Sequence, residues 1–200
     1  AFGARKGVLE AYVSETVALR VPPTVKVTLT GTLQPGVMAR DVVHHLVRVL
    51  GPASCAFKAV ELCGPVIDAL SVEGRQTICG QAMFLGATTM LIAPDAKTID
   101  WLAGRQRLQV PPVFADAGAV YEREVTVDVT TLAPIVVVPP SPANTRDLTD
   151  HLGLEVHTGY LGSCASGRLE DLRIAAQVLR GRQVKPGFQL HVVPTSQAIM

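Results

Sequence analysis

The sequence predicts a layered α/β protein built as two consecutive α/β units, and three observations carry that expectation. Strand-like apolar runs alternate with segments of helical rhythm along most of the chain. Val25, Val27 and Leu29 alternate with Lys26, Thr28 and Thr30, the period-2 signature of a half-buried strand. Pro134, Pro139, Pro140 and Pro142 form an extended, semi-rigid connection that separates one such unit from the next.

The elements follow in order. Arg5 to Leu19 has a loose helical rhythm ended by Pro22-Pro23, which predicts an N-terminal helical remnant over 1–23. The strand at Val25–Thr30 opens a first α/β domain over 24–133. A turn at Gly31–Gly36 leads into a helix from Val37 to Leu50, closed by Gly51-Pro52, with Val42, Val43, Leu46, Val47 and Leu50 as its buried face. Phe57–Leu62 reads as a second strand. Pro65–Leu70 makes one or two helical turns, and Ser71 starts a helix that runs to about Leu85. A third strand is expected at Ala87–Ala93, then a short helix opened by Pro94-Asp95 and ending near Gly104. Arg105–Ala119 is irregular, and Val125, Val127 and Val129 share one face of a strand within Val120–Thr130. After the proline-rich linker at 134–144, residues 145–200 begin a second α/β domain. Neither end reads as a domain end, so a piece of a longer protein is expected.

Bulk properties exclude several classes. With 18 basic and 17 acidic residues in 200, the net charge is +1 and no basic, aromatic-interleaved patch appears, so no nucleic-acid partner is expected. The most apolar stretch, Ala82–Ala93, is too short for a membrane span. Cys55, Cys63, Cys79 and Cys164 lie far apart in apolar surroundings, which points to a reducing, cytoplasmic compartment. His44 and His45 are adjacent on a helix and point about 100° apart, so they do not chelate one ion together.

The stretch that concentrates chemistry is Leu161-Gly162-Ser163-Cys164-Ala165-Ser166-Gly167-Arg168. The apolar run Leu154–Leu161 before it is long enough for a buried strand. Leu169, Leu172, Ala176 and Leu179 after it have helical spacing, with Gly181 as a stop. A tight strand-to-helix turn therefore presents Cys164 at its tip, with Ser166 placed to cap the helix and Glu170 and Asp171 in its first turn. A thiol beside a helix N-terminus has its thiolate favoured, which suits metal binding or nucleophilic attack.

Gly162-Ser163-Cys164, then Gly167-Arg168 and Glu170-Asp171-Leu172, resembles the cluster-ligand loop of the aconitase and 3-isopropylmalate dehydratase large-subunit family. Further ordered matches include Val60-Glu61-Leu62-Cys63-Gly64, Leu70-Ser71-Val72-Glu73-Gly74-Arg75, Thr77-Ile78-Cys79, Ile92-Ala93-Pro94-Asp95 and Arg173-Ile174-Ala175-Ala176. The resemblance covers the chain from about Thr24 onward and implies an aconitase-like α/β/α layering. It also implies a cytoplasmic hydro-lyase that moves water across a hydroxy di- or tricarboxylic acid, as in leucine biosynthesis. Such enzymes use a [4Fe-4S] cluster held by three cysteines, and a separate small dehydratase subunit can accompany the large one. Cys164 matches one cluster ligand, with Gly162, Ser163, Ser166, Gly167 and Arg168 as the substrate and cluster loop.

The chain departs from the family pattern in ways that bear on activity. The later Cys-x-x-Cys that supplies the other two ligands is absent, as are the family's His-containing N-terminal segments. Gly80 stands at the family's Asn position and Phe84 at that of its active-site Glu, and an aromatic ring cannot accept a proton as a carboxylate does. Ala165-Ser166 replaces the usual Thr-Asn after the cysteine. This chain alone is therefore expected to be inactive, with no catalytic residue of its own. A non-catalytic relative serving as a binding or scaffold module is the alternative. A weaker third reading makes Cys164 a nucleophile served by His151, His157 or His191.

Overall fold

The computed structural model describes residues 11–16, 18, 20–105, 110–164 and 166–200. Most of the helix expected over 5–19 lies outside the described residues, as does Ala165; residues 11–14 are helical. The first unit is a four-stranded parallel sheet flanked by helices. Its strands are β1 (Thr24–Thr30), β2 (Ala59–Cys63), β3 (Thr89–Ile92) and β4 (Arg123–Asp128), in the order β3-β2-β1-β4. Register runs Val25↔Val60 on one side of β1 and Val25↔Arg123 on the other. β1 buries Val25, Val27 and Leu29, as its alternation requires.

Helix α1 (Ala39–Leu50) lays Val42, Val43, Leu46 and Val47 on the sheet, each burial contributing roughly 1.5–3 kcal/mol before entropy is counted. Asp41 fixes both its start and its neighbour: Oδ2 accepts the Met38 N–H at 2.7 Å and Oδ1 accepts the Ile135 N–H at 2.9 Å. Pro65 opens α2 (Pro65–Ala69), where a missing N–H costs nothing. Ser71 caps α3 (Val72–Cys79) by accepting from the Gly74 N–H at 2.9 Å. The helix expected from Ser71 to Leu85 instead ends at Cys79. Gly80 is a poor helix former, and the buried Gln81 donates its side-chain amide to the Thr77 carbonyl at 3.1 Å, closing the last turn. A separate 3₁₀ turn, Ala82–Leu85, follows. Asp95 caps α4 (Ala96–Leu102) through the Thr98 N–H.

Arg75 ties these pieces together. Only 5% exposed, it donates to the Ile67 and Asp68 carbonyls, to Thr98 Oγ1 at 3.1 Å and to Asp95 Oδ2 at 2.6 Å. The guanidinium holds the Asp95 carboxyl well below the usual carboxylate range.

Beyond β4, the proline-rich segment contains β5 (Ile135–Val137), paired antiparallel with β6 (Thr145–Asp147), and a 3₁₀ turn at Leu148–His151. The last part pairs β7 (Thr158–Gly162) with β8 (Gln189–Val193) in parallel, with α5 (Leu169–Leu179) between them in the chain. Here expectation and structure differ. The run Leu154–Leu161 is not a buried strand: β7 starts only at Thr158, and Leu154, Val156 and Tyr160 are exposed. Helix α5 fully buries no residue: Leu172 is half-buried, and Leu169 and Leu179 remain exposed. No described helix is long and apolar enough to cross a membrane.

Candidate functional site

The Cys164 turn is held by close backbone packing. Gly162 takes φ +138°, and a Cβ there would collide with the Val193 carbonyl oxygen at the end of β8. Gly167 takes φ +83°, and a Cβ there would lie 2.6 Å from Gly162 Cα. Only glycine fits either place. Ser163, between Gly162 and the cysteine, also has a positive φ of 92°. Thr195 ties the turn to the segment after β8: its N–H donates to the Gly167 carbonyl at 3.1 Å and its hydroxyl to the Ser166 carbonyl at 3.1 Å. Cys164 is exposed, and the Ser163 hydroxyl donates to its Sγ at 3.7 Å.

The start of α5 differs from the expected arrangement. Its N-cap is Arg168, and Ser166 caps nothing. Asp171 instead accepts from the Gly167 and Arg168 N–H groups at 2.9 and 3.0 Å, and Glu73 of α3 accepts the Glu170 N–H at 2.8 Å. Three of the N–H groups at this helix start, those of Gly167, Arg168 and Glu170, are thus engaged by two carboxylates of the chain itself. A carboxylate is the better partner there because its charge faces the positive end of the helix. Ser166 faces the first unit and accepts from Arg40 Nη1 at 3.1 Å. Glu170 in turn accepts a hydrogen bond from the Ser71 hydroxyl.

These three links, Arg40–Ser166, Glu73–Glu170 and Ser71–Glu170, close the sides of a cleft of about 710 Å3 between the two units. Arg40, Glu73 and Thr77 face it from the first unit, and Tyr160, Ser163 and Ser166 from the second. Gly162 also borders it, whereas Cys164 stands just beyond Ser163, outside the lining. The remaining sequence candidates lie elsewhere. Gly80 is exposed at the end of α3. Phe84 packs partly buried against the core and stacks on His44, ring centroids 5.1 Å apart. Cys55 is fully buried, and burial pushes the Cys79 thiol up to about 11. Cys63 is half-buried beside Thr28 Oγ1, at 3.4 Å. Among the described residues, no histidine hydrogen-bonds Cys164 and no three His, Cys, Asp or Glu side chains are grouped as a metal site. One exposed thiol therefore suits a single ligand position, and the described donors do not make a complete cluster site.

Sequence reading gave no role to Arg40, Glu73 or His44. Glu73 does stand in the matched segment Leu70–Arg75, so a signal was present there.

A parallel α/β sheet with a glycine-braced cysteine turn at a cleft mouth defines the class, and the comparisons with known proteins agree. The profile of the Aconitase family (aconitate hydratase) matches residues 4–155 and 149–200, and the chain belongs to that family. Its relatives include the 3-isopropylmalate dehydratase large subunit of Nitratidesulfovibrio vulgaris, 41% identical over 180 residues, covering 90% of this chain and 43% of the relative. The 3-isopropylmalate dehydratase large subunit 1 of Methanopyrus kandleri is 38% identical over 180 residues, with the same coverage. The large subunit of Wolinella succinogenes is 36% identical over 184 residues, 90% of this chain and 44% of the relative. The chain thus spans less than half the length of the curated relatives it matches.

Proposed function

We propose that this chain is a segment of a hydro-lyase large subunit of the 3-isopropylmalate dehydratase type, acting on a small hydroxy di- or tricarboxylic acid. The observation that carries the reading is the exposed Cys164, held by Gly162 and Gly167 beside the cleft between the two units. In the complete protein, Cys164 would be one of the three thiolates holding a [4Fe-4S] cluster. Such a cluster supplies a Lewis acid that makes a hydroxyl a better leaving group. This chain's own contribution is positional. Gly162 and Gly167 hold the loop that carries Cys164 against β8, and Thr195 ties the loop to the segment after that strand. The chain by itself would not turn over, since it offers one ligand and neither of the family's Asn and Glu side chains at Gly80 and Phe84. A boundary at the proline-rich residues 134–144, a cytoplasmic location and a small-subunit partner belong to the same reading.

The second reading, a non-catalytic relative, is favoured by one observation. Phe84 stacks on His44 where the family places a carboxylate, so no proton acceptor occupies that position.

Anaerobic iron–sulfur reconstitution of the full-length parent protein, with iron counting and a hydratase assay, separates the two. Iron retention that is lost in Cys164→Ser supports the ligand assignment, and unchanged iron in that variant removes it. Iron retained without hydratase activity supports the second reading.

A further inference from the structure

A second cavity, of about 470 Å3, lies on the other side of Arg40, between α1 and the proline-rich segment. Its size falls within the range of small-molecule sites, roughly 300–1,000 Å3. Arg40 and His44 are four residues apart on α1 and so share one helix face. His44 borders the cavity, is only 4% exposed, and has the Pro142 carbonyl beside its ring, yet neither ring nitrogen completes a hydrogen bond. A buried, unpaired imidazole is uncommon in a native protein and calls for a use.

The surroundings specify what it would take. Phe84 and the side chains of β5 make the walls apolar. Asp41 also lines the cavity, but both its oxygens are engaged by the Met38 and Ile135 N–H groups. Arg40 gives Nη1 to Ser166 and forms no salt bridge among the described residues, so the rest of its guanidinium has no anionic partner. One edge of β5 is open. Leu148 donates to the Pro134 carbonyl and Val138 to the Asn144 carbonyl, so the even-numbered positions face β6. Ile135 faces α1, where Asp41 meets it. By strand alternation the Val137 N–H points to that same side. The cavity therefore combines one cation, one imidazole and one backbone donor with apolar walls.

We propose that this cavity binds a small monocarboxylic acid with a flat apolar body, its carboxylate held between Arg40 and His44 and its body lying against Phe84 and Val137. A single cation matches a single carboxylate, and the walls offer no second cation. The site uses none of the cysteines but shares Arg40 with the Cys164 cleft, so His44→Leu, which touches this cavity alone, separates it from the iron-binding reading.

Benzoate is a suitable probe, titrated into the whole protein by calorimetry and by NMR of the histidine ring nitrogens. Saturable binding with a Kd of about 1 mM or tighter is expected, with the His44 ring signals moving on saturation. Arg40→Gln and His44→Leu should each weaken benzoate at least tenfold while melting cooperatively. Benzyl alcohol, the same size without the charge, should bind at least tenfold more weakly. Three results overturn the proposal: no saturation, equal affinity for benzyl alcohol, or benzoate binding that leaves the His44 signals in place. The last readout needs no variant, so it decides the matter even if His44→Leu fails to fold.

Discussion

Glu73 on α3 accepts the Glu170 backbone N–H of α5 at 2.8 Å, so a side chain of the first unit caps the helix of the second. The contact joins residues 97 positions apart in sequence. Because α5 buries no residue, such polar links make up much of what holds its first turn in place.

Glu73→Ala should therefore loosen α5 by about 1 kcal/mol, the usual worth of a lost cap. Amide exchange within residues 169–179 is expected to rise roughly fivefold while exchange in β1 and β2 stays unchanged. Equal protection of α5 in both proteins would show that the cap contributes nothing.

Three of the four cysteines should separate clearly by reactivity. Cys164 is exposed, Cys55 is fully buried, and Cys79 has its thiol pushed up to about 11 by burial, so it carries little thiolate at pH 8. A thiol-reactive dye under native conditions should show one fast phase that disappears in Cys164→Ser. Cys55 and Cys79 should react only when denaturant is added. A fast phase surviving that substitution would contradict the exposure pattern.

Arg75 offers the clearest stability test. Lysine keeps the charge but not the fork that reaches Ile67, Asp68, Thr98 and Asp95 together. Arg75→Lys is expected to cost about 2–4 kcal/mol, read from the urea midpoint. Asp95 adds an acid dependence: its carboxyl is lowered from 3.8 by Arg75, so this stabilisation is present above that value and lost as pH falls below it.

His44 sets a second pH window. Burial first, and then the Arg40 charge, lower it from 6.5. Below 6.5 the unfolded chain takes up the proton more readily than the folded one, so stability falls as pH drops from 6.5 through the lowered folded value. His44→Leu should flatten that slope and leave stability at pH 8 equal or slightly higher, since an unpaired polar group is removed. The slope that remains belongs to His45, which is lowered by burial and by Arg48. An unchanged slope in the variant would place the effect elsewhere.

How much of this was legible in the sequence depends on the range of the interaction. β1, α1, β2 and α4 lie within about two residues of their expected limits, because alternation, caps and prolines are local signals. The helix after Ser71 was read too long because Gly80 breaks it and the Gln81 side chain closes it, a bond the pattern does not reveal. Leu154–Leu161 was read as buried because composition cannot tell whether another layer covers a strand. The glycine-braced turn with Cys164 exposed was readable from small residues between a strand and a helix. The role of Ser166 was not, since its partner Arg40 lies 126 residues away and nothing local names it.

The crowding at Gly162 and Gly167 has one further consequence. Val193 of β8 is the wall against which both glycines rest, so the sulfur's position is set by a strand that follows it rather than by its own loop. A one-step slip of β8 against β7 would carry the thiol away from the cleft with no change in the loop's own residues. The address of the reactive atom is thus written in a distant ladder, and substitutions there would mimic loss of the cysteine.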